Sequence, residues 1–209
     1  MGYGIPKIKE YLRHRGKRKA SPIQVAFVIL VSDEIHNFMR GVEVELFRKY
    51  GVDRTLRDNP HISLKQGFEV DALEPFEEYF DKLANEIRPF EIVIDGVGFF
   101  DQGIIYLDVK KDPRLETLRR RILRDLAGQF GVKPNPLEDE RYHFHATLAS
   151  GFPKKDFPKA RQACETIRAE YRFLFDTLGL LYHIGDQWII YKRSTLSRAA
   201  KADGGTAGA

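Results

Sequence analysis

The sequence predicts an α+β fold of two lobes related by a pseudo-two-fold axis, with antiparallel-rich sheets facing a central cleft and helices outside. Strand-like and helix-like stretches alternate in the order β-α-β-α-β and then β-α-β-α-β-β. Three strings of the first half also recur in the second half, in the same order and at offsets of 84, 81 and 85 positions. The matches are residues 60–68 with 144–152, 90–100 with 171–181, and 101–106 with 186–191. Such constancy indicates an internal duplication.

The chain divides into three segments by composition. We expect a basic arm at 1–22, one bilobal domain containing the duplication at 23–197, and a disordered tail of small and polar residues at 198–209. The net charge of +4 originates in the arm, because residues 1–19 hold seven Lys or Arg and one Glu. Such an arm can contact RNA phosphates without reading base sequence. The alternative is a solvated, partly disordered extension.

No membrane or secretory segment is predicted. The longest apolar run, Ile23–Val31, is far too short to span a bilayer, and the N-terminus is basic and polar. The single cysteine, Cys164, cannot form an internal disulfide, and its helical neighbours Ala160 and Ile167 predict a buried position. We therefore expect a cytoplasmic protein without a membrane partner; the sequence does not indicate its oligomeric state.

In the first half, Ile23–Val31 predicts a buried strand, and Ser32 or Asp33 can cap the helix that follows. A polar loop leads to the strand that begins at His61. A second helix is predicted to stop before Pro89. The inward positions of the two helices are Ile35, Phe38, Met39, Val42, Leu46 and Tyr50 in the first, and Leu73, Phe76, Phe80, Leu83 and Ile87 in the second.

In the second half, strands are predicted at 90–94 and 103–109, and Asp112-Pro113 is a typical helix start. That helix should turn apolar residues inward and Arg119, Arg120, Arg121 and Arg124 largely outward. The loop at 131–141 precedes the His145 strand. A helix at roughly 156–170 and strands near 172–181 and 187–192 complete the prediction.

The repeated histidine strings carry the chemistry. Because alternate residues of a strand share a face, His61 points the same way as Ser63, and His145 the same way as Thr147. Two such pairs at equivalent places in two symmetric lobes would converge on one point of the cleft.

Other site chemistries lack support in the sequence. No third group for a Ser/His/Asp arrangement is evident. Metal-ligand spacing is poor around His143 and His145, and no glycine-rich phosphate loop occurs, so neither a metal nor a cofactor is expected. Two imidazoles can act instead as general base and general acid, while hydroxyls donate to the non-bridging oxygens of a phosphate.

The strings His61-Ile-Ser63-Leu64 and His145-Ala-Thr147-Leu148 resemble the signature of the two-histidine phosphoesterases, also called the 2'-5' RNA ligase or RNA 2',3'-cyclic phosphodiesterase family. The resemblance covers roughly residues 23–193. It implies catalytic roles for the two histidines and their two hydroxyl partners, with Ser63 in place of the commoner threonine. It also implies a bilobal α+β fold with one motif in each lobe.

Lys65, His143 and Arg141 are candidate substrate-binding residues. Lys65 continues the face of His61 and could hold a phosphate in the cleft, or reach solvent at the strand end. His143 could border the site, and Arg141 could bind phosphate at the cleft edge or pair with the acids at 138–140. The equivalent tyrosines, Tyr106 and Tyr191, could stack on a base or belong to the core.

The resemblance implies a metal-independent phosphodiesterase that opens 2',3'-cyclic phosphates of RNA ends or nucleotides to 2'-phosphates. Two alternatives stay open on the sequence alone. One is a 2'-5' phosphodiesterase or RNA ligase-like activity, and the other is a nucleotide- or RNA-binding module without turnover.

Overall fold

The computed structural model of the chain describes residues 22–138 and 141–197. The predicted tail and all of the predicted arm except Pro22 lie outside this part. Its strands are β1 (Ile23–Leu30), β2 (His61–Val70), β3 (Phe90–Phe100), β4 (Ile104–Val109), β5 (His145–Ala149), β6 (Glu170–Phe175), β7 (Thr177–Ile184) and β8 (Gln187–Thr195). Its α-helices are α1 (Asp33–Tyr50), α2 (Glu74–Glu86), α3 (Pro113–Phe130) and α4 (Phe157–Cys164), and a one-turn 3-10 helix spans Thr55–Arg57.

The strands form two antiparallel four-stranded sheets, in the orders β2-β1-β7-β8 and β5-β4-β3-β6. The predicted α+β fold is therefore confirmed. The two sheets, however, are not the two halves of the sequence. Strand β3 joins β4, β5 and β6, while β7 and β8 return to the sheet of the first half. Each half thus contributes strands to the other half's sheet.

A local two-fold axis runs between β3 and β6. Phe90–Ile94 pairs antiparallel with Tyr171–Phe175, and these are the strings that repeat at an offset of 81. Ile92 consequently lies opposite its own counterpart, Phe173. The repeated segments meet each other across the axis.

Local signals account for the helix ends. Ser32 caps α1 by accepting a hydrogen bond from the backbone N–H of Ile35, and Asp112 caps α3 by accepting one from the N–H of Arg114. Both helices end at a glycine with a positive φ, 73° at Gly51 and 68° at Gly131. The two starts agree with the predicted caps.

Two predicted elements have different bounds. Helix α4 ends at Cys164 instead of near residue 170, and the β-branched Thr166 and Ile167 that follow are poor helix formers. The strand predicted near 172–181 is two strands separated by Asp176, because β6 pairs in one sheet and β7 in the other.

Arg119 corrects the prediction that the arginines of α3 point largely outward. Its side chain is buried, and the guanidinium packs 3.8 Å from the ring centroid of Tyr142. The reason is its position on the helix, four residues after Leu115 and three before Ile122, which places it on the buried stripe.

The core lies between the sheets and the helices. Along β1, Val25, Phe27 and Ile29 belong to the main apolar core, whereas Ala26 and Val28 pack on the opposite face of the sheet. This second face borders the cleft described below. Cys164 is buried, as predicted. No helix in the described part of the chain is both long and apolar enough to cross a membrane.

Candidate active site

The two histidine motifs line one cavity of about 420 Å³. His61 and Ser63 reach it from β2 of the first sheet, and His145 and Thr147 reach it from β5 of the second. The structure therefore brings together the four residues that the sequence singles out.

Both imidazoles are held in the same way. Nδ1 of His61 lies 2.6 Å from the carbonyl oxygen of Asn59, and Nδ1 of His145 lies 2.8 Å from that of His143. A carbonyl oxygen only accepts, so Nδ1 carries the proton in the neutral ring. Nε2 is then left free to accept a proton.

The pKa of each imidazole lies below the ordinary histidine value of 6.5, chiefly because burial disfavours the charged ring. The backbone carbonyl acts in the opposite direction and raises the pKa of both. At His145 the neighbouring imidazoles of His143 and His61 lower the pKa further, whereas Asp108 raises it. Without a bound anion, neutral rings are thus favoured.

Aromatic rings support the His145 side of the cavity. The rings of Phe100 and Tyr106 lie 5.1 and 5.2 Å from the imidazole of His145, centroid to centroid. Tyr106 also lies across Gly98 on the adjacent strand, where a Cβ atom would come within 2.3 Å of its ring. Tyr106 is buried by this packing. Its counterpart in the repeat, Tyr191, is exposed and donates a hydrogen bond to Glu77, so the two equivalent tyrosines have different surroundings.

Lys65 does not enter the cavity, and the prediction that it continues the face of His61 is corrected. Opposite β1, Phe27 pairs with Lys65 and Val28 pairs with Ser63, so Leu64 is an extra residue in β2. This bulge reverses the alternation, and Leu64 and Lys65 are both buried. Nζ of Lys65 lies 2.7 Å from Oε2 of Glu138 in a fully buried ion pair.

Glu138 and Tyr142 both bind β2 beside that ion pair. The carboxylate of Glu138 also accepts hydrogen bonds from the backbone N–H groups of Gln66 and Asn135, at 2.8 and 2.9 Å. The hydroxyl of Tyr142 donates to the carbonyl oxygen of Ser63 at 3.0 Å, and burial raises the pKa of Tyr142 to about 12. These contacts tie the chain segment before β5 to the strand that carries His61.

His143 and Arg141 are not among the residues that line the cavity. His143 shares the face of His145, but its Nε2 lies 2.8 Å from Oδ1 of Asp108, and its ring packs edge-on against Phe100 and Tyr106. The backbone carbonyl oxygen of His143 is the atom that holds the imidazole of His145. Arg141 is exposed on the segment before β5.

The cavity has further polar lining that the sequence reasoning does not single out. These residues include Glu43, Arg54, Asn59, Gln66 and Trp188. Glu43 had a detectable signal, because it continues the buried stripe Ile35, Met39 and Leu46 of α1 with an acidic side chain. The others lie in a loop, beside the bulge or at a hairpin, where no periodic pattern marks them.

Glu43 is a buried acid with one unused oxygen. Its Oε2 lies 2.7 Å from Nη1 of Arg40, which also donates to the carbonyl oxygen of Thr55. Oε1 has no hydrogen-bond partner among the described residues. Burial raises the pKa of Glu43 to about 7, against the lowering effect of Arg40.

No group of three or more His, Cys, Asp or Glu side chains able to hold a metal ion occurs within residues 22–138 and 141–197. What the cavity offers is two Nε2 atoms from opposite sheets and two hydroxyls beside them. This set can move protons and donate hydrogen bonds to a small anion.

Comparison with known proteins agrees with this arrangement. The sequence model of the 2'-5' RNA ligase superfamily matches residues 31–187. A Staphylococcus epidermidis protein named "Putative phosphoesterase" is 25% identical over 165 residues, which cover 74% of this chain and 90% of that protein.

The solved structures show the same fold. LigT of E. coli in apo form has a TM-score of 0.56 at 19% identity, covering 86% of this chain and 100% of LigT. LigT complexed with 3'-AMP has a TM-score of 0.55 at 20% identity, covering 85% and 100%. LigT was also crystallised with NADP+ and with ATP.

Proposed function

The chain belongs to the 2'-5' RNA ligase superfamily, and from this premise we propose that it is a metal-independent phosphodiesterase that opens 2',3'-cyclic phosphates of RNA ends or nucleotides to 2'-phosphates. The observation that carries the proposal is the pair of imidazoles, His61 and His145, in one cavity and each anchored through Nδ1. The nucleotide complexes of LigT support a nucleotide-like substrate.

In the proposed reaction one histidine is neutral and the other is protonated. The neutral imidazole takes a proton from water at Nε2 as the water oxygen forms a bond to phosphorus. The bond between phosphorus and the 3'-oxygen breaks, and the protonated imidazole donates its Nε2 proton to that leaving oxygen. The hydroxyls of Ser63 and Thr147 donate to the non-bridging oxygens, where negative charge must be held. Proton exchange with solvent then restores both rings.

The lowered pKa of both histidines fits this scheme once an anion is bound. A cyclic phosphate between the rings carries a negative charge, which favours the protonated form of the nearer imidazole. The substrate thereby raises the pKa of its own general acid, while the second ring stays neutral. Which ring takes which role depends on the side from which the sugar enters.

The test is turnover and product analysis with His61→Ala and His145→Ala, on 2',3'-cyclic nucleotides, 3',5'-cyclic nucleotides and 2'-5'-linked oligomers. Each variant should lose about 10²–10⁴-fold in kcat on 2',3'-cyclic phosphates, because each removes a proton-transfer group. His36→Ala is the matched control, since His36 lies on α1 and does not line the cavity.

Undiminished turnover in either single variant would contradict the mechanism, and loss of turnover with EDTA would contradict metal independence. Products from 2'-5'-linked oligomers alone would assign the linkage-cleaving activity instead. Tight binding of nucleotides without turnover of any substrate would identify a binding module.

A further inference from the structure

The cavity contains one basic side chain whose charge is not neutralised. Of the described residues that line it, Arg54 is the only Lys or Arg. Its guanidinium has no hydrogen bond or ion pair with any of the described residues. Unpaired guanidinium groups in a cleft are well suited to bind carboxylates or phosphates through parallel N–H donors.

Three basic residues near Arg54 in the described part of the chain each form an ion pair with an acidic side chain. Arg57 pairs with Asp53 and Asp186, and Arg40 pairs with Glu43. Lys65, on the adjacent strand, is neutralised by its own buried partner. Within residues 22–138 and 141–197, Arg54 is therefore the cation that remains available to a ligand of this cavity.

Three hydrogen bonds hold the segment that directly follows Arg54 in the chain. Arg40 donates to the carbonyl oxygens of Thr55 and Asp58, at 3.0 and 2.5 Å. The hydroxyl of Thr55 donates to the carbonyl oxygen of Leu148 on β5 at 3.0 Å. The anchoring reaches from α1 to the opposite sheet, so the guanidinium extends from a held segment.

Arg54 enters the cavity from a different part of the fold than the two imidazoles. It lies in the loop between α1 and the 3-10 helix, whereas His61 and His145 begin β2 and β5. The cavity volume of about 420 Å³ is in the range of pockets that hold a whole small molecule, so the cavity has room for more of the substrate than the phosphate between the imidazoles. A second anionic group of the same substrate is therefore the ligand that suits Arg54.

We propose that Arg54 forms a second phosphate subsite, which binds the 5'-phosphate or 5'-phosphodiester of the nucleoside whose 2',3'-cyclic phosphate lies between the histidines. This inference rests on the proposed function. Every RNA 3' end carries a phosphodiester at the 5' position of its last nucleoside, whereas a free nucleoside cyclic phosphate carries a hydroxyl there. The preferred substrates are then RNA ends or 5'-phosphorylated nucleotides.

The test compares four adenosine substrates that share the 2',3'-cyclic phosphate. They are the nucleoside with a 5'-hydroxyl, the same nucleoside with a 5'-phosphate, a dinucleotide with the natural linkage, and a dinucleotide with a neutral methylphosphonate linkage. Wild type should prefer the charged to the neutral dinucleotide by about tenfold or more in kcat/KM, chiefly through KM. Arg54→Gln should abolish that ratio, and Arg54→Lys should retain part of it.

Arg48→Gln is the control, because Arg48 is an exposed arginine of α1 that does not line the cavity; it should keep the wild-type ratio. A preference shared by the 5'-phosphate and the natural dinucleotide identifies the phosphate group itself as the ligand. A preference for the natural dinucleotide alone identifies the internucleotide linkage. Both results support the subsite.

Equal rates on the charged and neutral dinucleotides in wild type would overturn the inference. An equal loss on all four substrates in Arg54→Gln would also overturn it, since Arg54 would then act at the reacting phosphate. If wild type hydrolyses none of the substrates, the proposed function fails. The subsite is then judged by calorimetric binding of the two dinucleotides, where the same charged-to-neutral ratio and its loss in Arg54→Gln decide.

Discussion

His61 and His145 are each the first residue of a strand, and that position explains how they are held. The carbonyl oxygens of Asn59 and His143, two residues earlier, precede the strands and can accept from the imidazole Nδ1. Because the same contact occurs twice, both Nε2 atoms are free for a substrate. The motif thus depends on backbone atoms just outside it.

Replacing Glu43 by glutamine should change how stability depends on pH. Burial raises the pKa of Glu43 from 4.5 to about 7, so between these values the folded protein holds the proton more tightly than the unfolded chain. The stabilisation is fully present below about pH 4.5 and is lost as the pH rises through about 7. The loss is at most about 3 kcal/mol, and less where solvent screens the carboxylate. Glutamine cannot ionise, so the variant should not show it.

The measurement is urea unfolding of wild type and Glu43→Gln between about pH 5 and pH 8. The charged groups that act on the Glu43 carboxyl are Arg40 and Asp58, and the cavity also contains Arg54, His61 and His145. All five groups are present in both proteins, so their titration contributes almost equally to both free energies of unfolding and largely cancels when the two are subtracted. Glu45→Gln, at an exposed position of the same helix, should follow wild type. A pH-independent difference for Glu43→Gln would show that the carboxyl does not titrate in this range.

At the scale of elements, the sequence predicts what is local. Cap residues predict the starts of α1 and α3, because a cap acts within one turn of the helix. Strand alternation correctly pairs His61 with Ser63. It fails two residues later at Lys65, because the bulge at Leu64 depends on how β2 pairs with β1. A bulge that long-range pairing creates leaves no periodic signal in the strand itself.

Charged residues on buried helix faces are also not predicted by the apolar periodicity. Glu43 and Arg119 occupy positions that the apolar periodicity of α1 and α3 assigns to the interior. A core assigned from apolar residues alone omits such positions. A charged residue within an otherwise apolar, buried stripe is nevertheless informative, because a buried charge requires a partner or a ligand.

Gly98→Ala should disturb the site through the hairpin of β3 and β4. Gly98 pairs with Tyr106 across these strands, and a Cβ atom there would lie 2.3–2.6 Å from three atoms of the tyrosine side chain. The ring cannot move freely, because it packs on Phe100 and on the imidazole of His145. We expect a loss of about 1–3 kcal/mol in the free energy of unfolding, together with a lower kcat as His145 shifts.

Thermal or urea unfolding and steady-state kinetics test this. Gly41→Ala is the control, since Gly41 lies within α1 with no atom near the added methyl group. It should gain about 0.5–1 kcal/mol without altering kcat. Unchanged stability and kcat in Gly98→Ala would show that Tyr106 adjusts without affecting His145.

For the whole molecule, the duplication is visible in the sequence but the exchange of strands is not. The repeats place His61 and His145 in equivalent strands of two sheets, so the four motif residues could be predicted. Which sheet β3, β7 and β8 join is decided by contacts between distant segments, and offsets in the sequence carry no information on it. For the same reason the loop around Arg54 could not be assigned to the cavity.

The Lys65–Glu138 pair is one of the contacts that hold the two sides of the cleft together, and its loss should be costly. Lys65→Met leaves the Glu138 carboxylate buried with, among the described residues, only backbone N–H donors, and removing one partner of such a pair costs about 3–5 kcal/mol. Urea unfolding should show that loss. Lys110→Met, which breaks the exposed pair with Asp95, should have a far smaller effect.

A double variant separates the buried charge from the lost packing. Glu138→Gln removes the charge while its amide oxygen can still accept from a backbone N–H group, so Lys65→Met combined with Glu138→Gln should be less destabilised than the sum of the single variants. Additive losses would mean that Lys65 contributes packing alone.

Loss of the pair should also lower kcat. Glu138 and Tyr142 precede β5 in the chain and bind β2, so we expect kcat of Lys65→Met to fall at temperatures where the protein remains folded, because the two strands that carry the histidines are held less firmly relative to each other. A Lys65→Met protein that is strongly destabilised yet retains full kcat would show that the pair stabilises the fold but does not position the histidines.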